Sequence, residues 1–391
     1  MAQNHQPHVQ TKQDEFVEIP MNIERGTATL INQTGGNRKK RQWVTIVICI
    51  SFVVIGQSIA RLLENFYYDQ THRLDYDDSR QYDGAWTQSL LQSVGFPLLI
   101  IPFLLFPSRK QSNPPPITSD RPSVKYLAII YPCLGITMAA HGRLSATAKL
   151  SIPFGIFTLI YTTQLFFTSV FSRIINKTRF NRWIFISLAF AIATGALTLS
   201  TSFGGEPDEA EESWGKGSWS AFFAAVIFSL LLCNVQNAFD SVISKRDEAS
   251  NRKPSFAVVM EMLTSPCLAA SVMSAAALLI SGEQHDLRRE MEGFSKGKAS
   301  YVLAMAGQAA AWQIYWVGIV GLVFVVSCVF SNIISVITWP IVSALVVVFF
   351  NFMDDDFDAF KGAAFATAVL SISAYVYKLK KEEKETDDSS S

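Results

Sequence analysis

The first long apolar stretch of the chain contains three polar side chains at regular intervals. Gln57, Arg61 and Glu64 follow i, i+4, i+7 spacing, which places them on one face of a helix. Turning a charged face toward lipid costs several kcal/mol. We therefore expect this face to line the interior of a helix bundle, with Gln57 binding a solute and Arg61 lining its path. The alternative is an Arg61–Glu64 pair at the membrane boundary that reaches back to water.

Amide side chains crowd the end of a later apolar stretch. Asn234, Gln236 and Asn237 lie there, beside Asp240. Amides in hydrocarbon often form hydrogen bonds between helices, and this remains the alternative for each one taken singly. Their density favours a polar path, so we expect Gln236 to bind a solute and Asn237 to line the path.

Two prolines interrupt apolar stretches in the two halves of the chain. Pro153 precedes Gln164 by eleven residues, and Pro340 follows Asn332 by eight. Proline frees a backbone carbonyl within a helix, and transporters place solute sites near such breaks. Gln164 and Asn332 are therefore binding candidates, although a simple packing kink explains the prolines equally well.

A cluster of aromatic residues with an adjacent amide lies in the middle of another apolar stretch. Trp312 and Trp316 share a helix face, and Gln313 lies beside them. Tryptophan is common at membrane interfaces, but this central position favours a stacking surface for a flat heterocycle. Aromatic stacking with an amide that bonds the ring edge suits a purine, and it also suits other planar heterocycles.

Glu261 is the carboxylate that lies deepest in an apolar stretch, about 9 Å from its start along a helix. A carboxylate at such a depth is a candidate proton carrier. The alternative is a neutral acid, or one bonded to a neighbouring amide, with a structural role.

These side chains require membrane-spanning helices to position them. Hydrophobic residues make up 49% and charged residues 17% of the 391 residues, against roughly 25% charged in soluble domains. A span needs roughly 20 mostly apolar residues. Ten runs meet this requirement, and they are residues 43–63, 86–106, 125–145, 150–174, 182–203, 218–240, 255–281, 300–321, 328–350 and 357–377.

The sequence thus predicts an all-α polytopic membrane protein with about ten helices in two five-helix halves. The halves are residues 43–203 and 218–377, joined by an acidic loop at 204–217. Lys and Arg are more frequent in the segments that share a side with the termini. We therefore expect residues 1–42 and 378–391 to be cytosolic tails, and their composition favours disorder.

Several functional classes are excluded by what the sequence lacks. It contains no GxxxxGK[ST] loop, no HExxH motif and no metal-spaced cluster of histidines or cysteines. Acidic and basic residues are balanced at 33 each, so nothing indicates a nucleic-acid partner. We expect no enzymatic activity, no cofactor and no bound metal.

Several segments of the chain, taken in their order along the sequence, resemble those of a known family. They are GQSIARLLENFYY, AWTQSLLQSVGFP, KLSIPFGIFTLIYTTQLFF, SFAVVMEMLTSPCLAA, ISGEQHDLRREMEGFSKGKASYVLAMAGQAAAWQ, VGIVGLVFVVSCVFSNIIS and SAYVYK. From residue 43 to residue 378 the chain resembles the plant purine permeases, a branch of the drug/metabolite transporter superfamily.

The resemblance implies ten spans in a five-plus-five arrangement and proton-linked import of adenine, related purines or cytokinin-type derivatives across a plasma membrane. It places the family's motif positions on Gln57, Gln164, Gln236, Glu261, Trp312, Gln313 and Asn332. The chain departs from the pattern at Val325, where the family has a glutamate, and this departure bears on proton coupling and on substrate choice.

Two other functions stay open. A phosphate-bearing substrate, as in nucleotide-sugar exchangers, requires buried cations, for which the sequence offers Arg61 within a predicted span and Arg143 and Lys149 at span ends. A membrane sensor or scaffold that transports nothing is the second alternative. The leading hypothesis is a proton-coupled importer of purine-like solutes, with Glu261 as the residue that carries the proton.

Overall fold

The computed structural model describes residues 37–71, 84–105, 124–152, 154–178, 180–200, 211–250, 257–350 and 359–390. Regular structure in these ranges is entirely helical. The helices are α1 (Asn37–Thr71), α2 (Ala85–Leu91), α3 (Pro97–Leu105), α4 (Val124–Ser151), α5 (Phe154–Thr162), α6 (Gln164–Ile175), α7 (Arg182–Ser200), α8 (Glu211–Ser250), α9 (Ala257–Ser281), α10 (Gln284–Gly293), α11 (Lys298–Val325), α12 (Cys328–Phe350) and α13 (Ala359–Ser390).

Each of the ten predicted apolar runs falls on helix, and two runs are broken. The run at 86–106 divides into α2 and α3, and proline begins α3 because its fixed φ suits the first helical position. The run at 150–174 divides into α5 and α6 at Thr163. Pro153, predicted to interrupt this run, lies outside the described residues.

Three helices extend beyond the ends that the composition predicts. Helix α8 begins at Glu211, inside the predicted acidic loop, and α13 continues to Ser390 through the predicted tail. Helix α1 begins at Asn37, before the predicted boundary at residue 43. Disorder predicted for residues 378–390 is therefore wrong. Lys and Glu are good helix formers, so a charged extension of an apolar helix continues it rather than unravelling.

Helix packing produces three sets of helices, and α12 contacts members of each set. Helix α1 runs along α11, whereas α4 packs against α8 and α9, and α7 packs against α13. Helix α12 contacts α1, α6, α7, α8, α11 and α13, and it is buried continuously from Cys328 to Trp339. The space between α1, α11 and α12 on one side and α4 and α5 on the other holds the site described below.

Large apolar side chains lie on the surface and polar side chains lie in the interior, which is the reverse of a soluble protein. Ile280 is 87% exposed and Leu303 is 73% exposed, whereas Gln164 and Asn332 are fully buried. Among the described residues, four helices are long and apolar enough to cross a membrane: Gln42–Tyr67, Gly215–Ser241, Val259–Ser281 and Lys298–Val325. This pattern is that of an integral membrane protein. The count of ten spans stays a prediction.

Helices α1 and α11 approach each other at backbone distance through two glycines. A Cβ built on Gly56 would lie 2.5 Å from the backbone nitrogen of Tyr315. A Cβ built on Gly318 would lie 2.7 Å from the carbonyl oxygen of Cys49. Small residues at such crossings allow helices in membranes to pack closely. This contact fixes the position of Gln57 relative to Trp312.

Helix α10 lies across one end of the bundle and is anchored by two carboxylates. Glu283 accepts hydrogen bonds from the backbone nitrogens of Trp86 and Thr87, each at 3.2 Å, and so caps α2. Glu290, 1% exposed, accepts hydrogen bonds from the hydroxyls of Tyr67 at 2.6 Å and Tyr301 at 3.4 Å. These bonds join α10 to the ends of α1 and α11.

We expect Gly318→Ala to lower stability, because its Cβ meets backbone atoms that cannot move without separating α1 from α11. The loss should be about 1–3 kcal/mol, the usual cost of overpacking. Gly215→Ala is the matched control, since a Cβ there meets nothing within 4 Å. Thermal unfolding in detergent measures both variants, and equal melting temperatures would contradict the close packing.

The docking of α10 should strengthen as pH falls. Burial raises the pKa of Glu290 from 4.5 to about 7, and the charges of Asp286 and Glu283 raise it further, against the lowering effect of the two tyrosine bonds. The docked state therefore binds more protons than the undocked state between these two values. Docking gains stability as pH falls through about 7 and levels off near 4.5.

Hydrogen exchange of residues 284–293, corrected for the intrinsic rate, tests this at pH 5.5 and pH 8. Protection should be at least about tenfold higher at the lower pH. Glu290→Gln should remove the difference, because glutamine stays neutral at both values. Glu292→Gln, at a half-exposed carboxylate paired with Arg288, should retain it. Protection independent of pH in the unaltered protein would refute the assignment.

Candidate functional site

A cavity lies between α1, α4, α5, α11 and α12. The residues that line it are Gln57, Arg61, His141, Ser145, Lys149, Phe157, Tyr161, Trp312, Tyr315, Ser335 and Trp339.

Aromatic rings form most of the cavity wall. Phe157 and Tyr161, one turn apart on α5, stack with centroids 5.1 Å apart and planes at 18°. Trp339 meets Tyr161 edge-on, with centroids 6.4 Å apart and planes at 85°. Across the cavity, Trp312 and Tyr315 on α11 are also perpendicular, at 5.3 Å. Rings in several orientations provide both faces and edges to a flat ligand.

Three charged side chains form one side of the cavity. Arg61 donates to Glu64 at 2.9 Å, and the Nζ atom of Lys149 lies 3.0 and 3.2 Å from the two carboxylate oxygens of Glu64. The side chains of Arg61 and Lys149 are each 8% exposed, and that of Glu64 is 3% exposed. Among the described residues, this cluster therefore contains two cations and one carboxylate.

Both cations contact the aromatic wall. The Cζ atom of Arg61 lies 4.1 Å from the centroid of the Trp339 ring, and Nζ of Lys149 lies 5.8 Å from that of Trp312. Cation–π attraction at such distances is worth about 2 kcal/mol when desolvated. The charged and aromatic parts of the wall therefore hold each other in place.

Polar atoms without a hydrogen-bond partner among the described residues lie at the cavity, and they include the Oε1 atom of Gln57 and the indole nitrogen Nε1 of Trp312. Buried polar atoms rarely stay unpaired, because each costs about 1–3 kcal/mol. By contrast, the hydroxyl of Tyr315 contacts Ser335 at 2.9 Å, and Nε2 of His141 lies 3.4 Å from the hydroxyl of Tyr161. Gln57 thus offers an acceptor to a ligand, and Trp312 offers a donor.

Among the residues that the sequence singled out, Gln57, Arg61 and Trp312 meet at this cavity. Arg61 and Glu64 do pair, but with buried side chains rather than at a boundary with water. The other candidates do not line the cavity.

Two of the amides instead connect α12 to its neighbours. Asn332 donates to the main-chain carbonyl oxygen of Gln164 at 3.1 Å and to the hydroxyl of Thr168 at 2.5 Å. The Oε1 atom of Gln236 accepts from the backbone nitrogen of Cys328 at 2.8 Å. These are bonds between helices, the alternative that stayed open for Gln236.

Gln313, Glu261 and Asn237 also lie elsewhere. Gln313 donates to the carbonyl oxygens of Gln92 and Ser93 at 3.2 and 3.3 Å, across from α11 to the α2–α3 turn. Glu261 accepts a hydrogen bond from the hydroxyl of Tyr131 at 3.4 Å. Asn237 is half-buried on α8.

Sequence reasoning missed Lys149 and most of the aromatic wall. Lys149 lies at the end of an apolar run, where a lysine ordinarily reaches water, and its partner Glu64 lies 85 positions earlier. Phe157 and Tyr161 carried a usable signal, since they share a face at i, i+4 spacing one turn before Gln164. His141, Ser145, Tyr315, Ser335 and Trp339 are ordinary residues for a helix core.

Comparisons with known proteins agree with one another. A family model described as purine nucleobase transmembrane transport matches residues 44–385. Purine permease 14 of Arabidopsis thaliana is 64% identical over 388 residues, which are 98% of this chain and 99% of that protein. Probable purine permease 18 of the same plant is 40% identical over 347 residues, 89% of this chain and 88% of its own length.

A solved crystal structure shares the fold. It superposes with a TM-score of 0.52 and covers 85% of this chain and 97% of its own, at 14% sequence identity. At that identity the similarity concerns the fold alone.

Proposed function

The chain belongs to the purine permease family, and from this premise we propose that it is a secondary active transporter that binds purine nucleobases or adenine derivatives in the cavity beside Gln57 and Trp312. It is an integral membrane transport protein and not an enzyme. The substrate, the coupling ion and the transport direction are the parts that we propose.

The unpaired atoms at the cavity carry the proposal. A purine edge presents a ring-nitrogen acceptor next to an amino or N–H donor. The Oε1 atom of Gln57 can accept from the donor, and Nε1 of Trp312 can donate to the acceptor. The flat base would stack against the aromatic wall, a contact worth about 1–3 kcal/mol. The cavity thus provides both the hydrogen-bonding atoms and the aromatic surface that a purine base requires.

Helix packing supports two related halves and movement between them. The first helix of the first half packs on the third long helix of the second, as α1 on α11, and the reverse pairing is α4 on α8. Such reciprocal pairing is expected of two structural repeats, and transporters built from repeats bind solutes at their interface. The cavity lies between these pairs. We propose ten spans and alternating access around this site.

Coupling, orientation and substrate range complete the proposal. Protons are the coupling ion that we propose, with Glu261 as the candidate carrier from the sequence. The distribution of Lys and Arg supports cytosolic termini, and we propose a plasma-membrane location. A base with a short substituent, as in cytokinins, suits this cavity better than a nucleotide sugar, because the phosphates of a nucleotide sugar would have to displace Glu64 from both cations.

Removing either unpaired atom should weaken purine binding. Gln57→Leu deletes the acceptor, and Trp312→Phe keeps a stacking ring but deletes the donor. Each change should lower affinity for adenine or a cytokinin base by about 5- to 100-fold, which corresponds to roughly 1–3 kcal/mol for one hydrogen bond. Uptake of labelled base by yeast without its own purine importer measures the effect.

Trp316→Phe is the matched control, because its buried indole nitrogen is also unpaired among the described residues but does not line the cavity. Its uptake should match that of the unaltered protein. Protein that reaches the surface but neither binds nor imports purines would refute the substrate class. Binding without uptake would indicate a sensor instead.

A further inference from the structure

Two cysteines lie side by side where α12 begins. The Sγ atoms of Cys233 on α8 and Cys328 on α12 are 3.7 Å apart, although the two residues are 95 positions apart in the sequence. Both side chains are fully buried, and neither forms a disulfide. A disulfide requires about 2.05 Å between its sulfur atoms, so these two sulfurs need to approach each other by about 1.7 Å. A modest rotation of each side chain moves its sulfur by a distance of this size.

The two thiols have different surroundings, which give them different roles in a reaction. The sulfur of Cys328 accepts a hydrogen bond from the side-chain amide of Asn176 at 3.6 Å, and Cys328 is the first residue of α12. N–H donors and the positive end of a helix both stabilise negative charge on a sulfur atom. The sulfur of Cys233 lies 3.7 Å from the carbonyl oxygen of Thr168, to which its thiol can only donate. Cys328 is therefore the nucleophile of the pair, and Cys233 is the thiol that completes the bond.

A small oxidant has a short path to this pair from the end of the bundle. Cys328 follows directly after the break between α11 and α12, where residues 324–327 are all partly exposed. Helix α11 is long and apolar enough to cross a membrane, and it ends at Val325. The turn after it therefore lies at a membrane surface. Hydrogen peroxide is only slightly larger than water, so a small opening of this turn admits it to the Cys328 sulfur.

We propose that peroxide joins Cys233 and Cys328 in a disulfide that stops the transport cycle. The inference rests on the proposed function as a purine transporter. The Cys328 thiolate attacks one peroxide oxygen and the O–O bond breaks, which gives a sulfenic acid, while the departing hydroxide takes up the thiol proton as water. The Cys233 thiol then attacks that sulfur, the S–O bond breaks, and a second water leaves. Two thiols are oxidised to one disulfide, and one peroxide is reduced to two waters.

This disulfide crosses a contact that must open before a solute can leave the cavity toward the turn. Helix α12 contributes Ser335 and Trp339 to the cavity wall, and Cys328 lies two turns before Ser335. Near Cys328, hydrogen bonds join α12 to α8 through Gln236 at 2.8 Å and to α6 through Asn332 at 3.1 Å. Such bonds break and re-form during a conformational change, whereas a disulfide opens only on reduction. The disulfide therefore fixes α12 to α8 and keeps this side of the cavity closed.

The test uses purified full-length protein in proteoliposomes, with uptake of labelled adenine measured before and after treatment with hydrogen peroxide. Uptake should fall at least about tenfold, because a covalent bond across a contact that moves prevents the conformational step. Dithiothreitol should restore uptake, which distinguishes a disulfide from oxidised methionine, since methionine sulfoxide is reversed by dedicated enzymes. Mass spectrometry of peptides, after alkylation of the free thiols, should show Cys233 linked to Cys328.

Cys233→Ser and Cys328→Ser identify the thiols responsible, because serine can keep the hydrogen bonds to Thr168 and Asn176. Both variants should import adenine and keep their uptake after peroxide. Where a serine variant is inactive before oxidation, Cys233→Ala takes its place. Cys267→Ser, at a buried free thiol on α9, is the matched control and should lose uptake as the unaltered protein does.

Three results would overturn the proposal. They are oxidised unaltered protein without the Cys233–Cys328 link, uptake that survives formation of the link, and loss of uptake on oxidation of either serine variant. Reduced unaltered protein that imports no purine would instead refute the proposed function, and the peptide map would still decide whether the disulfide forms.

Discussion

The constraint on which this structure depends is that hydrocarbon cannot form hydrogen bonds. Every polar group inside the bundle must therefore find a partner on another helix or line a space that a solute fills. The side-chain amide of Gln308 donates a hydrogen bond to the side-chain oxygen of Gln88 at 2.6 Å, and the hydroxyl of Ser187 donates to the carbonyl oxygen of Ser371 at 2.8 Å. These pairs hold helices together where apolar contacts do not distinguish a neighbouring helix from lipid. At the cavity, the Oε1 atom of Gln57 and the Nε1 atom of Trp312 are available to a solute under the same constraint.

The positions of the helices could be predicted from the sequence, because the length of an apolar run is a local property. The break that the predicted runs 300–321 and 328–350 imply between α11 and α12 is present, at Val326 and Ser327. Gln57 and Arg61 could also be assigned to an interior face, since their spacing defines that face without knowledge of any neighbour. Breaks inside runs depend on local turns, and the sequence did not reveal the one at Thr163.

The partner of each polar face could not be predicted, because it depends on how each helix is rotated in the packed bundle. Trp312 and Gln313 are consecutive, yet one faces the cavity and the other bonds to the turn between α2 and α3. Lys149 lies at the end of a predicted span, where a lysine ordinarily reaches water. Its pairing with Glu64, on a helix far away in sequence, depends on how the two helices pack.

The hydrogen bonds of the amides that do not line the cavity lie close to it along α12. Asn332 and Cys328 lie one and two turns before Ser335 on α12, and so about 5–10 Å from the cavity along that helix. Their hydrogen bonds to the carbonyl oxygen of Gln164 and to the side chain of Gln236 join α12 to α6 and α8 on this side of the cavity. A solute that leaves in this direction requires those bonds to break. We therefore interpret these amides as determinants of the rate of conformational change, and Gln57 and Trp312 as determinants of affinity.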